Sequence, residues 1–587
     1  MTAGYVATTV VFFVLTFLIT LGVYYHYTKV SIKSIPVVSV VFQIIALYVC
    51  ILPFPLLVVD VEAALSGNEQ HWMRPIWLTI FATTYISAWI TLPIVQMLTI
   101  VGDFTWQKRL KSSVILNLKL YAVIIVLIVL VFFFILFLKG ALHSLKSVVK
   151  IGLALANSWG LFMLLIFMPA GLVGVPRMLY KYADPRKLLR RRLFESVDIQ
   201  DDLDLASMDL AAIKSELMTI DPLVSEENRP HLSEMLEAIS VADRDIPLYH
   251  IAAQRVKVKP SENRDDVSLE HLVALNARLK RSIVVVGRAN YRWNKTVKDC
   301  HSLDEMIRGV KETNNSFKKV WFSVRTYVYW FGCITCGFLT ILILWSELTL
   351  PFRQMAGVPL GLVEVIMGSS IHFVASIVFL FYMAYCAYWA AFQFKVFDIY
   401  VVYPSIADNA SLCFNMVFLV RLLMPLCFNF LLISNLSTAD NVDVQYGYVY
   451  RRNMDIGELF GTVANQYLPM VIPFLAIVVL LNLTQRILSL VGIEVHNPND
   501  VESPPVRQRI EDGRKLVEHA LGFELVSVVL PGEEPYVPGQ TPSRVNRGES
   551  PRASAVKGGR YREYKDKQKG PEPEGWRRAP FSVFYYY

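Results

Sequence analysis

Apolar residues in this chain come in long blocks, not in strict alternation. Nine blocks reach or approach the roughly 17–25 residues that a helix needs to cross a bilayer. Their cores are Val6–Tyr25, Val37–Val59, Ile76–Leu98, Leu120–Leu138, Ile151–Val175, Tyr327–Trp345, Leu362–Trp389, Leu412–Ser434 and Tyr467–Leu490. Between the fifth and the sixth block nothing is apolar enough to span. The pattern predicts an all-α polytopic membrane protein with nine transmembrane helices. It divides into a membrane bundle of helices 1–5 (residues 1–176), a cytosolic helical, coiled-coil-like loop domain (177–326), a second membrane group of helices 6–9 (327–493) and a largely disordered cytosolic tail (494–587). The first block reads as a retained helix, not a cleaved signal peptide. No basic stretch precedes it, and Tyr24, Tyr25 and His26 follow where small residues are needed for cleavage.

In the large loop the apolar period changes. Asp201–Ile220 places Leu205, Met208, Ala212 and Leu217 at helical spacing with acids between them, and His231–Ser240 predicts another short helix. Arg255–Arg264 is polar, holds a proline and reads as a loop. Then Val267, Leu269, Leu272, Val273, Leu279, Ile283 and Val286 recur three and four residues apart. They predict a long amphipathic helix over about 267–307, capped by Ser268. Its apolar face needs a cover: the earlier helices, a second copy of the chain, or a partner. Lys181–Phe194 is a basic strip suited to anionic headgroups, or simply a stop-transfer flank. In the tail, Arg507–Leu521 predicts a short amphipathic helix, and Phe581–Tyr587 reads as a docking motif or a weak membrane contact.

Composition agrees with this picture. Of 587 residues, 54% are hydrophobic and only 18% charged, against about 25% charged in a typical soluble protein. The net charge of +8 fits basic cytosolic loops and does not point to nucleic acid. With the N-terminus outside, sixteen loop Lys and Arg fall on the predicted inner side and seven on the outer, which favours N-out and C-in. Lys139, Lys146 and Lys150 are misfits on the outer side. Six of the seven cysteines lie in apolar runs, against a disulfide framework. There is no H-E-x-x-H, G-x-S-x-G or Walker A sequence. The chain is therefore read as a non-enzyme with no cofactor and no metal site.

Polar residues inside spans cost free energy and mark pathways or packing contacts. Asn157, Ser158, Glu364, His372, Arg421 and Asn429 form the candidate intramembrane polar cluster. Asp60 and Glu347 are candidate carboxylates at the bilayer edge. Arg421 is the most informative of these, because a buried guanidinium needs acceptors. Asp60, Glu347 or Glu364 can supply a carboxylate. The sharper reading is a polar cavity for a small ligand or ion, and the plainer one is structural pairing. Pro53 and Pro55 should break or bend the second span. Asn435-Leu436-Ser437 is a glycosylation sequon on the predicted outer side.

Several stretches together resemble the limb-region (LMBR) or lipocalin-interacting membrane receptor (LIMR) family, most like its LMBR-domain-containing protein 2 branch. They are Ile51–Phe54 (ILPF) with Asp60, Ala154–Leu164 (ALANSWGLFML) ahead of Val175–Arg177, Leu344–Glu347 (LWSE), Arg421–Phe430 (RLLMPLCFNF) and Tyr467–Met470 (YLPM). The resemblance implies nine helices, an outside N-terminus and a cytosolic tail, in a plasma or endolysosomal membrane. It also implies a receptor or receptor-associated adaptor in signalling or endocytic trafficking. The expected partners are the lipid bilayer, cytosolic proteins meeting 201–307 and the tail, and a receptor. The alternative is a carrier or channel for a small solute, or the partner of one, built around Arg421.

Overall fold

The computed structural model describes residues 2–68, 70–139, 145–245, 268–308, 316–356, 360–394, 400–436, 444–453, 468–483, 504–522 and 525. Its elements are helices. In chain order they are α1 (Thr2–Thr28), α2 (Val37–Ile51), α3 (Pro53–Leu65), α4 (Met73–Ile86), a π turn (Ser87–Thr91), α5 (Leu92–Met97), α6 (Trp106–Lys139), α7 (Leu145–Ala183), α8 (Pro185–Ile220), α9 (Arg229–Asp245), α10 (Leu269–Arg308), α11 (Ser316–Ala356), α12 (Leu362–Met367), α13 (His372–Gln393), α14 (Asn409–Ile433), α15 (Gln445–Asn453), α16 (Val471–Leu480) and α17 (Pro504–Leu521).

Among the described residues seven stretches are long and apolar enough to cross a membrane: Gly4–Thr28, Val37–Leu65, Met73–Met97, Ser158–Ala183, Val320–Phe352, His372–Gln393 and Asn409–Ile433. The remaining two expected spans fall on α6, whose later side chains lie outside the described residues, and on the region of α16. The second span bends at Leu52, where Pro53 and Pro55 remove two backbone donors. The Tyr388 hydroxyl donates to the Cys50 carbonyl beside the bend, at 2.9 Å.

The hub is α14. It has no exposed face: all its residues except Phe414 and Val417 are buried, as in a helix at the centre of a bundle. Small residues let its neighbours approach. A Cβ on Gly160 of α7 would lie 2.7 Å from the Arg421 carbonyl oxygen, and one on Gly171 would lie 2.0 Å from that of Cys386. Close backbone crossings of this kind replace hydrophobic driving force in lipid.

The soluble helices stand directly on the bundle. α7 passes into α8 through one break, at Asp184. Its carboxylate caps α8 by accepting from the Arg186 and Lys187 amides at 3.0 and 3.4 Å. α10 begins with Ser268, whose hydroxyl accepts from the His271 amide at 3.3 Å, so the expected cap is present. The cover for α10 comes from within the chain: its Leu272, Leu275, Leu279, Val286 and Trp293 share one core with α8, α9 and α17. On α8 the residues named from the sequence divide, Leu217 being buried and Ala212 half-buried. Leu203, Ala206, Leu210 and Ile213 are buried, whereas Leu205 and Met208 are exposed. In this helix of 36 residues, two adjacent faces carry apolar residues at helical spacing, and only packing chooses between them. Of the expected tail, α17 docks on α8 through Val506, Ile510 and Val517. Phe581–Tyr587 and Arg255–Arg264 lie outside the described residues.

Loops from the bundle anchor this soluble group. The Asn276 amide donates to the Gly102 carbonyl at 2.6 Å and Lys280 to the Val101 carbonyl at 3.5 Å. Arg288 pairs with Asp408 at 3.6 Å, and the Arg292 guanidinium lies 4.8 Å from the Tyr403 ring. The Val30 amide in turn donates to the Ser405 carbonyl at 2.8 Å. The loops 29–36, 98–105 and 400–408 therefore share one end of the bundle with the soluble helices, here called the domain end.

Candidate functional site

At the opposite, far end, α3 carries Asp60 into the protein instead of to an edge: it is 1% exposed. Its carboxylate accepts the Trp77 indole N–H at 3.0 Å, the Gln445 amide at 3.2 Å and the Tyr446 amide at 2.8 Å. The last two are the first N–H groups of α15, which have no partner within their own helix. A carboxylate there also meets the positive end of the helix dipole. Gln445 was not singled out from the sequence. Its side-chain oxygen accepts from Arg74 Nε, while Arg74 lies 4.5 Å from the Tyr448 ring centre.

Glu347, the second expected edge carboxylate, is fully buried and accepts from the Asn429 side chain. Its other oxygen and the Asn429 oxygen have no hydrogen-bond partner. Glu364 accepts from the Asn435 amide nitrogen at 2.7 Å, so the nitrogen of the sequon is engaged. His372 pairs with Glu62 at 2.9 Å, and Glu62 was missed in the sequence. Ser158 is partly buried and bonded. Asn157 is on α7, with its side chain outside the described residues.

The expected cluster is thus not one constellation. It resolves into three pairs, Glu347–Asn429, Glu364–Asn435 and His372–Glu62, with Arg421 apart. None of Asp60, Glu347 or Glu364 is paired with Arg421. Its guanidinium lies 4.6 Å from the Tyr85 ring centre and 4.4 Å from that of Trp89, in cation–π range. Trp89 belongs to the π turn Ser87–Thr91, a local widening often found at functional positions. Arg421 is 6% exposed, and its Nη2 has no hydrogen-bond partner.

A further polar network was missed. The Tyr24 hydroxyl donates to Gln43 at 2.9 Å, and Gln43 donates to the Asn409 side chain at 2.8 Å. Asn409 donates to the Val95 carbonyl at 2.9 Å. It ties four spans at the domain end. The available signal was Gln43, a lone amide in an apolar run that has to find partners.

In the helices beside the bundle, two arginines of the basic strip, read as suited to headgroups or as a stop-transfer flank, pair internally. Arg191 and Arg192 meet Glu195 at 2.7 and 3.4 Å, and Arg192 also lies 3.8 Å from Asp299. Burial, with Arg109 nearby, pulls the Lys280 ammonium down to about 8. Burial pushes the Cys300 thiol up to about 12. Among the described residues no group of three or more His, Cys, Asp or Glu is placed to hold a metal ion.

A nearly all-apolar bundle with internally paired polar residues and a helical platform on one end defines an integral membrane protein. The profile of the LMBR1-like membrane proteins matches residues 5–484, and the chain belongs to that family. It is 25% identical over 478 residues to LMBR1 domain-containing protein 2 homolog A of Dictyostelium discoideum, covering 78% of this chain and 63% of that protein. It is 22% identical over 481 residues to the LMBR1 domain-containing protein 2 homolog of Drosophila melanogaster, covering 75% and 68%. It is also 22% identical over 483 residues to the human G-protein coupled receptor-associated protein LMBRD2, covering 75% and 68%. No solved structure matches the chain.

Proposed function

We propose that this protein is a non-enzymatic multi-pass membrane adaptor that works beside a receptor, in signalling or endocytic trafficking. The observation that carries the reading is mechanical. α7 runs into α8 with one capped break, α10 is bonded to loops 98–105 and 400–408, and the platform therefore moves with the bundle. Relatives named as G-protein coupled receptor-associated support the receptor side.

The chain crosses nine times in this reading. α6 starts and α7 ends at the domain end, so the pair has to go out and return. Arg177, at the domain end of α7, donates to the Leu480 carbonyl and to Asn482 at 2.9 Å, whereas α15 sits at the far end. In this reading α16, whose end meets Arg177, counts as the ninth crossing. The excess of Lys and Arg in the loops of the domain end supports a cytosolic domain end and an outside N-terminus, and the family resemblance suggests a plasma or endolysosomal membrane.

Since α10 is covered, the partner surface is assigned to exposed Leu205 and Met208 of α8. The test is proximity labelling from the full chain in cells. Leu205→Glu with Met208→Glu should abolish receptor recovery without lowering expression or melting temperature; equal recovery from the variant would sink this surface. Recovery of no receptor by the unaltered chain would sink the adaptor reading itself. The solute-pathway alternative keeps one supporting observation, the unpartnered Nη2 of Arg421.

A further inference from the structure

α15 is an unusual element for its position. It has nine residues, too few to span, yet it is sunk into the far end of the bundle. Val444, Gln445, Tyr446, Val449 and Tyr450 are all buried, and they join the membrane core. The Tyr446 hydroxyl donates to the Met424 carbonyl, three residues from Arg421. Trp77 meets the Tyr446 ring edge-on at 4.8 Å, and Phe428 stacks on Tyr450 at 4.1 Å. Below Trp77, α4 continues with Phe81, Tyr85 and, through the π turn, Trp89, each four residues on. That row of rings stands on one side of the helix and leads from α15 to Arg421. At its foot is a buried guanidinium with an unpartnered N–H between two aromatic faces.

We propose that the far end is a gated anion site, in which α15 is the plug, Asp60 is the latch and Arg421 is the group that meets the anion. A guanidinium with a free donor suits an oxyanion, carboxylate or sulfonate in type. The positive charge of Arg421 itself disfavours a cation there. The latch is specific: a single carboxylate takes both first amides of the plug and the Trp77 indole. Changing it to an amide turns one acceptor into a donor that faces other donors.

The charged and titratable groups around the latch are few. Arg74 and His71 come from the side of α4 and hold Gln445. Glu62, on α3 itself, is occupied by His372 of α13. α2 carries no charged residue, and the one titratable charge of α1, His26, is at the domain end. From α14 the charged group is Arg421.

Cys427 of α14 is fully buried beside Phe428 and serves as a native reporter. It lies six residues beyond Arg421 in sequence, about 9 Å along the axis. Purified full-length protein in nanodiscs is exposed to a methanethiosulfonate bearing a sulfonate or a trimethylammonium group. Modified Cys427 is then mapped by peptide mass spectrometry. In the unaltered protein at pH 7 neither reagent should reach it.

In Asp60→Asn, modification should accelerate on the order of tenfold to a hundredfold, the range set by losing one charge-assisted hydrogen bond. After correction for intrinsic reagent rates the sulfonate should win. Arg421→Gln added to Asp60→Asn should keep Cys427 reachable and remove that preference. A folded Asp60→Asn protein with Cys427 still unreachable overturns the plug. An ammonium preference, or a sulfonate preference that survives Arg421→Gln, overturns the anion site. Should Asp60→Asn fail to fold, Trp77→Phe, which removes one of the three donors held by Asp60, takes its place in the same labelling: faster modification of Cys427 is expected, and a folded Trp77→Phe protein with Cys427 still unreachable overturns the latch. None of these outcomes bears on receptor recovery, so this inference and the adaptor reading fail separately.

Discussion

The joint between platform and bundle is most exposed to test at Gly102. A Cβ there would lie 1.8 Å from the Val273 carbonyl oxygen and 2.7 Å from the Ala277 amide nitrogen. Both are backbone atoms of α10, so no side chain can swing aside. In Gly102→Ala the loop has to retreat by roughly 1 Å or more to reach a tolerable contact. That stretches the 2.6 Å bond from Asn276 to the Gly102 carbonyl beyond useful hydrogen-bonding range. Asn276 is 4% exposed, so its amide is left without an acceptor, at about 1–3 kcal/mol. Displacing packed backbone adds about 1–3 kcal/mol. Docking of the loop should weaken by about 2–6 kcal/mol in all, and amide protection over 98–105 and the first turns of α10 should fall by about thirtyfold or more. Gly287, on the same α10, provides the control. Its Cβ would meet nothing within 4 Å, so Gly287→Ala should stabilise the helix by about 0.5–1 kcal/mol. Wild-type protection in Gly102→Ala, or equal destabilisation by both changes, would refute the reasoning.

Two other predictions follow from buried polar groups. Lys280 is held at about 8, below the ordinary lysine value near 10.4. Between those values the unfolded chain binds more protons than the folded one, so stability contributed here should rise with pH across that window and flatten below it. Melting curves from pH 7.5 to 9.5 should show a rise that Lys280→Met removes; parallel curves for the two proteins would show that Lys280 is not the source. In the bundle, Glu347→Gln keeps the acceptor for Asn429 and removes an ionisable group from a fully buried position. It should leave the melting temperature unchanged or raise it. Asn429→Leu takes away the donor and should cost about 1–3 kcal/mol. The reverse order in thermal denaturation would mean that the charged form of Glu347 is the one the bundle requires.

Much of the architecture was legible because solvent dictates it. A backbone in hydrocarbon must satisfy its own hydrogen bonds, so each long apolar block becomes a helix whatever its neighbours do. The bend at Pro53 and Pro55, the extent of α10 and its Ser268 cap were local matters too, settled by residues within one or two turns.

Pairing was another matter. The same rule that makes a polar residue in a span demand a partner says nothing about which partner comes within 3 Å. Asp60 found the amides of Gln445 and Tyr446, 385 and 386 positions away, on a short polar helix that hydropathy gave no reason to place inside. Arg421 took two aromatic faces in place of the expected carboxylate, because α4 and its π turn bring Tyr85 and Trp89 to it. Leu205 and Met208 recur at helical spacing with Leu217 yet stay exposed while Leu217 is buried, because two faces of α8 carry apolar residues and packing chooses between them. The sequence by itself determined the class: membrane helices and a helical region between them with one long amphipathic member. The tertiary structure decided which charges meet, which face of α8 is covered and what closes the far end. Those depend on distances between segments remote in the chain, which local hydropathy and periodicity do not encode.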